Sequence, residues 1–117
     1  MAVTSTRDEI PPGTLYMLVL KTLDRNGESH GYEIASSIER LSSDILTVEE
    51  GSLYPALQRM LIKGWVTAKW GVTAGNRRAR YYRLTAAGRK QLDSEMAQYQ
   101  RVSGAIQRIL APAQGTL

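Results

Sequence analysis

The apolar residues of this 117-residue chain change period twice, at Gly64 and at Thr85, and few architectures accommodate both changes. Before Gly64, the stretch Thr47 to Gly64 (TVEEGSLYPALQRMLIKG) sets Leu53, Ala56, Leu57, Met60 and Leu61 at i, i+3, i+4, i+7 and i+8. That is one buried face of a helix. Its other side carries Ser52, Tyr54, Gln58, Arg59 and Lys63, donors and cations without a carboxylate among them. After Gly64 the period falls to 2, in Trp65 to Trp70 and again in Ala79 to Leu84, as in strands. Between them GVTAGNRR is turn-forming and basic, so the pair reads as a hairpin with a charged tip.

Two helices come first. Pro11-Pro12-Gly13 breaks the chain, and Thr14 is placed to cap a helix running to about Arg25, ended by Asn26-Gly27. Its LYMLVLKTL, from Leu15, is apolar nearly all round, so in a chain of this size a second subunit is the expected cover. His30-Gly31 opens a helix from Tyr32 to about Leu41, with Tyr32, Ile34, Ala35, Ile38 and Leu41 turned inward. Two starts compete for the third helix. Thr47 with Glu50 resembles a capping box, whereas Pro55 belongs near a helix start, where its missing N–H is not needed. The later start, near Glu49, is preferred.

Three helices and then a hairpin is the order of a winged helix, a helix-turn-helix variant. The expected fold is mainly α with a small β-hairpin. Residues 1–10 are polar and aperiodic, a flexible arm; 11–84 form the winged-helix DNA-binding domain; 85–110 form a dimerisation helix; and 111–117 are a tail. Thr85 caps that last helix, which reaches Leu110 before Pro112, about 39 Å at 1.5 Å per residue. Leu92, Met96, Tyr99, Ser103, Ile106 and Leu110 are spaced 4, 3, 4, 3 and 4, with Val102 and Ile109 beside them. This is the spacing of a coiled-coil seam, and it overruns the small domain, so it is expected to pair with its copy in a homodimer.

Charge is polarised along the chain. Between Gly51 and Leu92 stand nine basic residues (Arg59, Lys63, Lys69, Arg77, Arg78, Arg80, Arg83, Arg89, Lys90) and no acid; all eleven acids lie outside. A solvated face explains a few like charges together, but not acids kept away for about forty residues. A phosphate-binding face does. With no cysteine and one histidine, disulfides, zinc sites and nucleophile–base pairs have almost nothing to be built from. No metal or cofactor motif stands out, and no carboxylate constellation suggests an enzyme. No apolar run approaches a membrane span and MAVTSTRDEI has no signal-peptide core, so a cytoplasmic location without membrane association is expected.

With these elements placed, the sequence closely resembles the PadR family of bacterial transcriptional regulators. Four stretches carry the likeness: GTLYMLVLKTL, HGYEI, EGSLYPALQRMLIKGWV and RRARYYRLTAAGRKQL, and the resemblance as a whole runs from about Thr14 to Leu110. The single C-terminal helix matches the short branch of the family. The resemblance implies a homodimeric winged-helix repressor that binds two-fold symmetric operators in double-stranded DNA, with the last and first helices at the dimer interface. Several members release DNA on binding small aromatic or lipophilic compounds. Ser52, Tyr54, Gln58 and Arg59 match positions facing DNA, and Asn76, Arg77 and Arg78 match the wing tip. Met60-Leu61-Ile62 departs from the usual pattern, where the third position is commonly charged, so an exposed Ile62 interrupts the polar outer face.

The residues leave several roles open. Gln58 and Arg59 are suited to bidentate readout of adenine and guanine, or else hold phosphates and solvent. Tyr54 holds a phosphate through its hydroxyl, or packs at the helix edge. Arg77, Arg78 and Arg80 enter a minor groove or touch the backbone alone, and Lys63 adds charge at the end of the helix. Trp65 and Tyr82 read as cross-strand packing, and His30 as a local hydrogen-bonding or phosphate-facing residue. Met96 and Tyr99 suit a loose effector pocket between the paired last helices and the first, or are plain dimer core. An interaction module docking an acidic protein is the alternative to a DNA regulator.

Overall fold

The computed structural model describes residues 7–11 and 13–113. Its centre is helix α1 (Leu15–Asn26), whose Val19 and Leu20 are wholly buried, as the all-round apolar pattern requires. Around it pack α2 (Gly31–Leu41), α3 (Glu50–Ile62) and the first half of α4 (Ala86–Leu110). Ile34 and Ile38 from α2, Leu53, Ala56, Leu57 and Met60 from α3, and Leu92 from α4 close the core. Each large aliphatic side chain so buried contributes about 1.5–3 kcal/mol.

Strands β4 (Val66–Val72) and β5 (Arg78–Leu84) form the expected antiparallel hairpin, with Trp70 opposite Arg80 and Val66 opposite Leu84. A third strand, β2 (Ser29–His30), adds to the free edge of β5, giving the order β2-β5-β4. Sequence periodicity does not reveal it because two residues carry no period. A second pairing, parallel, joins β1 (Asp8–Glu9) to β3 (Leu46–Thr47). Residues 7–10 of the expected arm are therefore tied to the fold, and Arg7 also pairs with Glu39 at 3.4 Å. Residues 1–6 of the arm and 114–117 of the tail lie outside the described residues.

Helix ends follow local chemistry. Thr14 sits at the N-cap of α1 but uses its hydroxyl on the Pro11 carbonyl, not on the helix. α2 has a capping box in which His30 Nδ1 accepts from the Glu33 N–H and a Glu33 carboxylate oxygen accepts from the His30 N–H. α3 starts after Glu49, the later of the two competing starts; Thr47 is committed to β3 and makes no capping box. Pro55 falls inside the helix, so the Gly51 carbonyl lacks the N–H that would normally donate to it from four residues on. Two inward assignments on α2 do not hold. Tyr32 is 75% exposed because it lies two residues, some 200°, from Ile34. Leu41 shares the face of Ile34 but is the last residue of the helix and is 52% exposed.

One junction ties α3, the wing and α4 together. Gly64 ends α3 at φ 77, and its carbonyl accepts from the Thr85 hydroxyl at 2.7 Å. The same Thr85 oxygen accepts from the Gly88 N–H, while the Thr85 N–H donates to the Trp65 carbonyl. Gly88 packs flat on this turn: a Cβ there would meet the Trp65 carbonyl oxygen and stand 2.7 Å from Leu84 Cδ1. Backbone cannot yield as a flexible side chain does, so Gly88→Ala is expected to destabilise the protein by about 1–3 kcal/mol, as other overpacking substitutions do. Urea titration would register this as a lower midpoint at unchanged slope.

Candidate nucleic-acid interface

The burial of Leu53, Ala56, Leu57 and Met60 fixes the rotation of α3, and with it the direction of every other side chain on that helix. At 100° per residue, the ridge opposite the core consists of Gly51, Pro55, Gln58 and Ile62. All four are exposed, Ile62 at 78%. Of the five residues expected on the outer side, Gln58 alone lies at the middle of that ridge. The other four occupy its flanks or its end.

Tyr54 leans to the α2 flank, half-exposed, where its hydroxyl reaches Gly31 so closely that a Cβ there would lie 2.7 Å away. Glycine at the start of α2 is thus a condition for the placement of this tyrosine. Ser52 and Arg59 occupy the opposite flank and line a groove of about 1200 Å³ between α1, α3 and α4. Arg59 Nε donates to the Tyr16 hydroxyl, and the guanidinium lies 5.8 Å from the Tyr16 ring centroid. This bond holds Arg59 against α1. Lys63, at the C-cap, stands 5.4 Å from the ring centroid of Trp65, and Trp65 in turn meets Tyr16 edge-on.

The wing tip turns through Thr73 to Arg77, with Asn76 N–H donating to the Thr73 carbonyl and Thr73 N–H to the Arg77 carbonyl. Asn76 has φ 64, so it supplies the left-handed residue that the turn needs, a role asparagine tolerates well. Arg77 is exposed at the tip, while Arg78 and Arg80 lie along Trp70. Of the nine cations in the acid-free segment, Lys69 pairs with Glu28 and Arg89 with Asp24. Among the described residues, the other seven have no carboxylate partner. Burial raises the Tyr82 hydroxyl above its ordinary pKa, against the opposing effect of Arg80.

The residues expected at a subunit interface divide in two. Leu92 is 2% exposed and belongs to the subunit's own core, because the first turns of α4 pack on α1. Met96 and Leu15 are partly buried against that core, and Met96 does not line the groove. Beyond them Tyr99, Val102 and Ile106 are about half exposed, and Ile109 and Leu110 are 80% and 76% exposed. His30 is 13% exposed, spent on its capping box and an edge-on meeting with Tyr81, the local role open to it.

The sequence model of the transcriptional regulator PadR-like family matches residues 19–94, from α1 into α4. The chain belongs to the PadR family. Among solved structures, a transcriptional regulator from Clostridium thermocellum matches with TM-score 0.77 at 25% identity, over 85% of this chain and 95% of that one. A PadR family regulator from Eggerthella lenta matches with TM-score 0.70 at 28% identity, over 86% and 85%. An uncharacterised protein of Lysinibacillus sphaericus is 26% identical over 96 residues, 82% of this chain and 87% of its own. As a PadR-family winged helix, the chain is a DNA-binding transcriptional regulator and not an enzyme. Among its described residues, no helix is long and apolar enough to cross a membrane.

Reading the residue types alone missed Gly51 and Pro55 on the outer ridge and Val72 on the wing, whereas Ile62 is exposed there as expected. The signal was present in the phase: each lies opposite the buried set on α3, or continues the Val66, Ala68 alternation on β4. Gln58→Ala is expected to relax base preference at one position, costing about 1–3 kcal/mol against the preferred base. Replacing Arg77 and Arg78 together with Ala should weaken all sequences alike. Parallel binding selections on random duplexes would separate the two outcomes.

Proposed function

We propose that the protein is a homodimeric, sequence-specific repressor that binds a two-fold symmetric operator through α3 and the wing. The observation that carries this reading is the seven cations that have no carboxylate partner among the described residues, gathered on α3, the wing and the start of α4. A phosphate backbone supplies the missing countercharge, and Gln58 on the outward ridge is placed to read a base edge. Ser52, Tyr54, Arg59 and Lys63 flank that ridge and serve docking.

The dimer reading rests on α4. Its second half carries Tyr99, Val102, Ile106, Ile109 and Leu110 to solvent, an apolar stripe that a monomer would leave wet. Among the described residues, Leu92 and Met96 are the only apolar side chains of α4 in or against the core, so its second half extends beyond the domain that anchors its first turns. A second copy covering the stripe sets two α3 helices apart by a fixed distance, which a symmetric operator matches at about 34 Å.

A small aromatic or lipophilic effector would enter the groove lined by Tyr16, Glu95, Tyr99 and Val102. Tyr99 lines this groove, whereas Met96 packs on the core.

Genomic-fragment selection followed by footprinting is the direct test. It is expected to yield a palindromic site whose affinity falls about a thousandfold between 50 and 200 mM salt. A flat salt response, or capture of acidic proteins without DNA, would overturn the reading. Sedimentation should show a dimer at micromolar concentration, and Val102→Glu with Ile106→Glu should give a folded monomer that has lost operator affinity.

A further inference from the structure

The inner face of the wing runs past the end of the core. Along β4, Val66 is buried, Ala68 is half-buried, and Trp70 and Val72 are 58% and 62% exposed, all on one side of the strand. Across the ladder, their partners are Leu84, Tyr82, Arg80 and Arg78. A sheet face that begins apolar therefore ends in an exposed tryptophan with two guanidinium groups beside it. Arg78 Cζ lies 4.5 Å and Arg80 Cζ 5.9 Å from the Trp70 ring centroid.

Two observations give this cluster a direction. First, Arg78 and Arg80 repel each other, and among the described residues no carboxylate pairs with either. The nearby Glu28 is taken by Lys69, which alternation places on the opposite face of β4. Second, Arg80 Nε is buried without a hydrogen-bond partner. A donor left so is costly to the fold, and native proteins keep few of them. A guanidinium held over an indole loses some of its freedom but keeps its terminal nitrogens for an acceptor.

We propose that Trp70 is a positioning residue that holds Arg78 and Arg80 as a paired clamp for duplex DNA phosphates. The inference rests on the DNA-binding reading and adds a residue outside the recognition helix and the wing tip. The arginines carry the charge; Trp70 fixes where that charge points. The countercharge of a polyanion relieves the repulsion that the stack sets up. Because phosphates carry no sequence, the clamp contributes to every duplex equally.

The test uses the full-length protein and a mixed-sequence duplex of about 30 base pairs, followed by anisotropy over a range of salt. Trp70→Ala should bind about 5–20-fold more weakly, with a salt slope shallower by about one contact, whereas Trp70→Phe keeps most of the affinity. Its thermal midpoint should stay near that of the parent, since the ring is largely exposed. In an Arg78→Ala, Arg80→Ala background, Trp70→Ala should have no further effect, which a merely structural tryptophan would not obey. Unchanged affinity and slope in Trp70→Ala, or full additivity with the arginine changes, would overturn the clamp while the parent still binds. A parent protein that binds no duplex at all would instead overturn the DNA reading together with it.

Discussion

The rotation of α3 about its own axis is the constraint from which the interface follows. Four side chains of that helix are pressed into the core, none more than 1% exposed, and turning the helix by one residue would put Leu53 or Met60 in water. At about 1.5–3 kcal/mol for each large apolar side chain, burial outweighs any preference of the polar side. The outward ridge is therefore a by-product of packing, and its membership, with Pro55 and Ile62 beside Gln58, is not what a purely polar outer face would predict. The α2–α3 turn guards the same phase. Ser43 and Asp44 both adopt positive φ there, and the Val48 N–H donates to the Glu39 carboxylate at 3.0 Å. Glu39 also receives Arg7, so the short β1–β3 pairing reinforces the approach to α3 from the N-terminal side.

A second constraint fixes α3 relative to α4. Thr85 is shared between the end of α3, the root of the wing and the first turn of α4, with one hydroxyl serving both Gly64 and Gly88. Such a junction passes orientation along the chain without a large interface. Neither the wing nor α4 can pivot on α3 without breaking those bonds, which is what the proposed dimer would need of a helix that spaces two readers. Glycine at position 88 is what permits the close approach.

Much of this was legible in the sequence, for a physical reason. Long amphipathic elements announce themselves through period, so α1, α3, the hairpin and α4 could be placed from apolar spacing, and Thr85 from its capping chemistry. What stayed hidden depended on pairings between distant residues. β2 and β1 are two residues each, too short to alternate, and they exist because β5 and β3 offer an edge. Leu92 fits a seam by spacing, yet its early position on α4 puts it over α1, a distinction that spacing cannot make. Arg59 has the chemistry of a base reader, but the Tyr16 hydroxyl claims it from a helix 43 residues away. At the candidate site, type and charge picked out a surface, while phase and partners decided which residues occupy its centre.

That tether of Arg59 bears on how DNA affinity would be controlled. The groove beside it is bounded by Ser52 and Arg59 of α3 on one wall and by Gln98, Tyr99 and Val102 of α4 on another. Whatever fills this space, a second copy's helix or a small molecule, touches the DNA-facing helix directly and needs no relay through the core. A ligand shifts DNA affinity only by the difference in its own affinity for the two arrangements. Here the two walls belong to α3 and α4, which in the proposed dimer dock on DNA and space the copies. In that arrangement a change of even a few degrees between them would alter the match to a symmetric site at both halves at once. The Tyr16–Arg59 bond stands at the corner where those walls meet α1, so it stabilises one relative placement of α1 and α3, and its loss would broaden that placement before it altered any base contact.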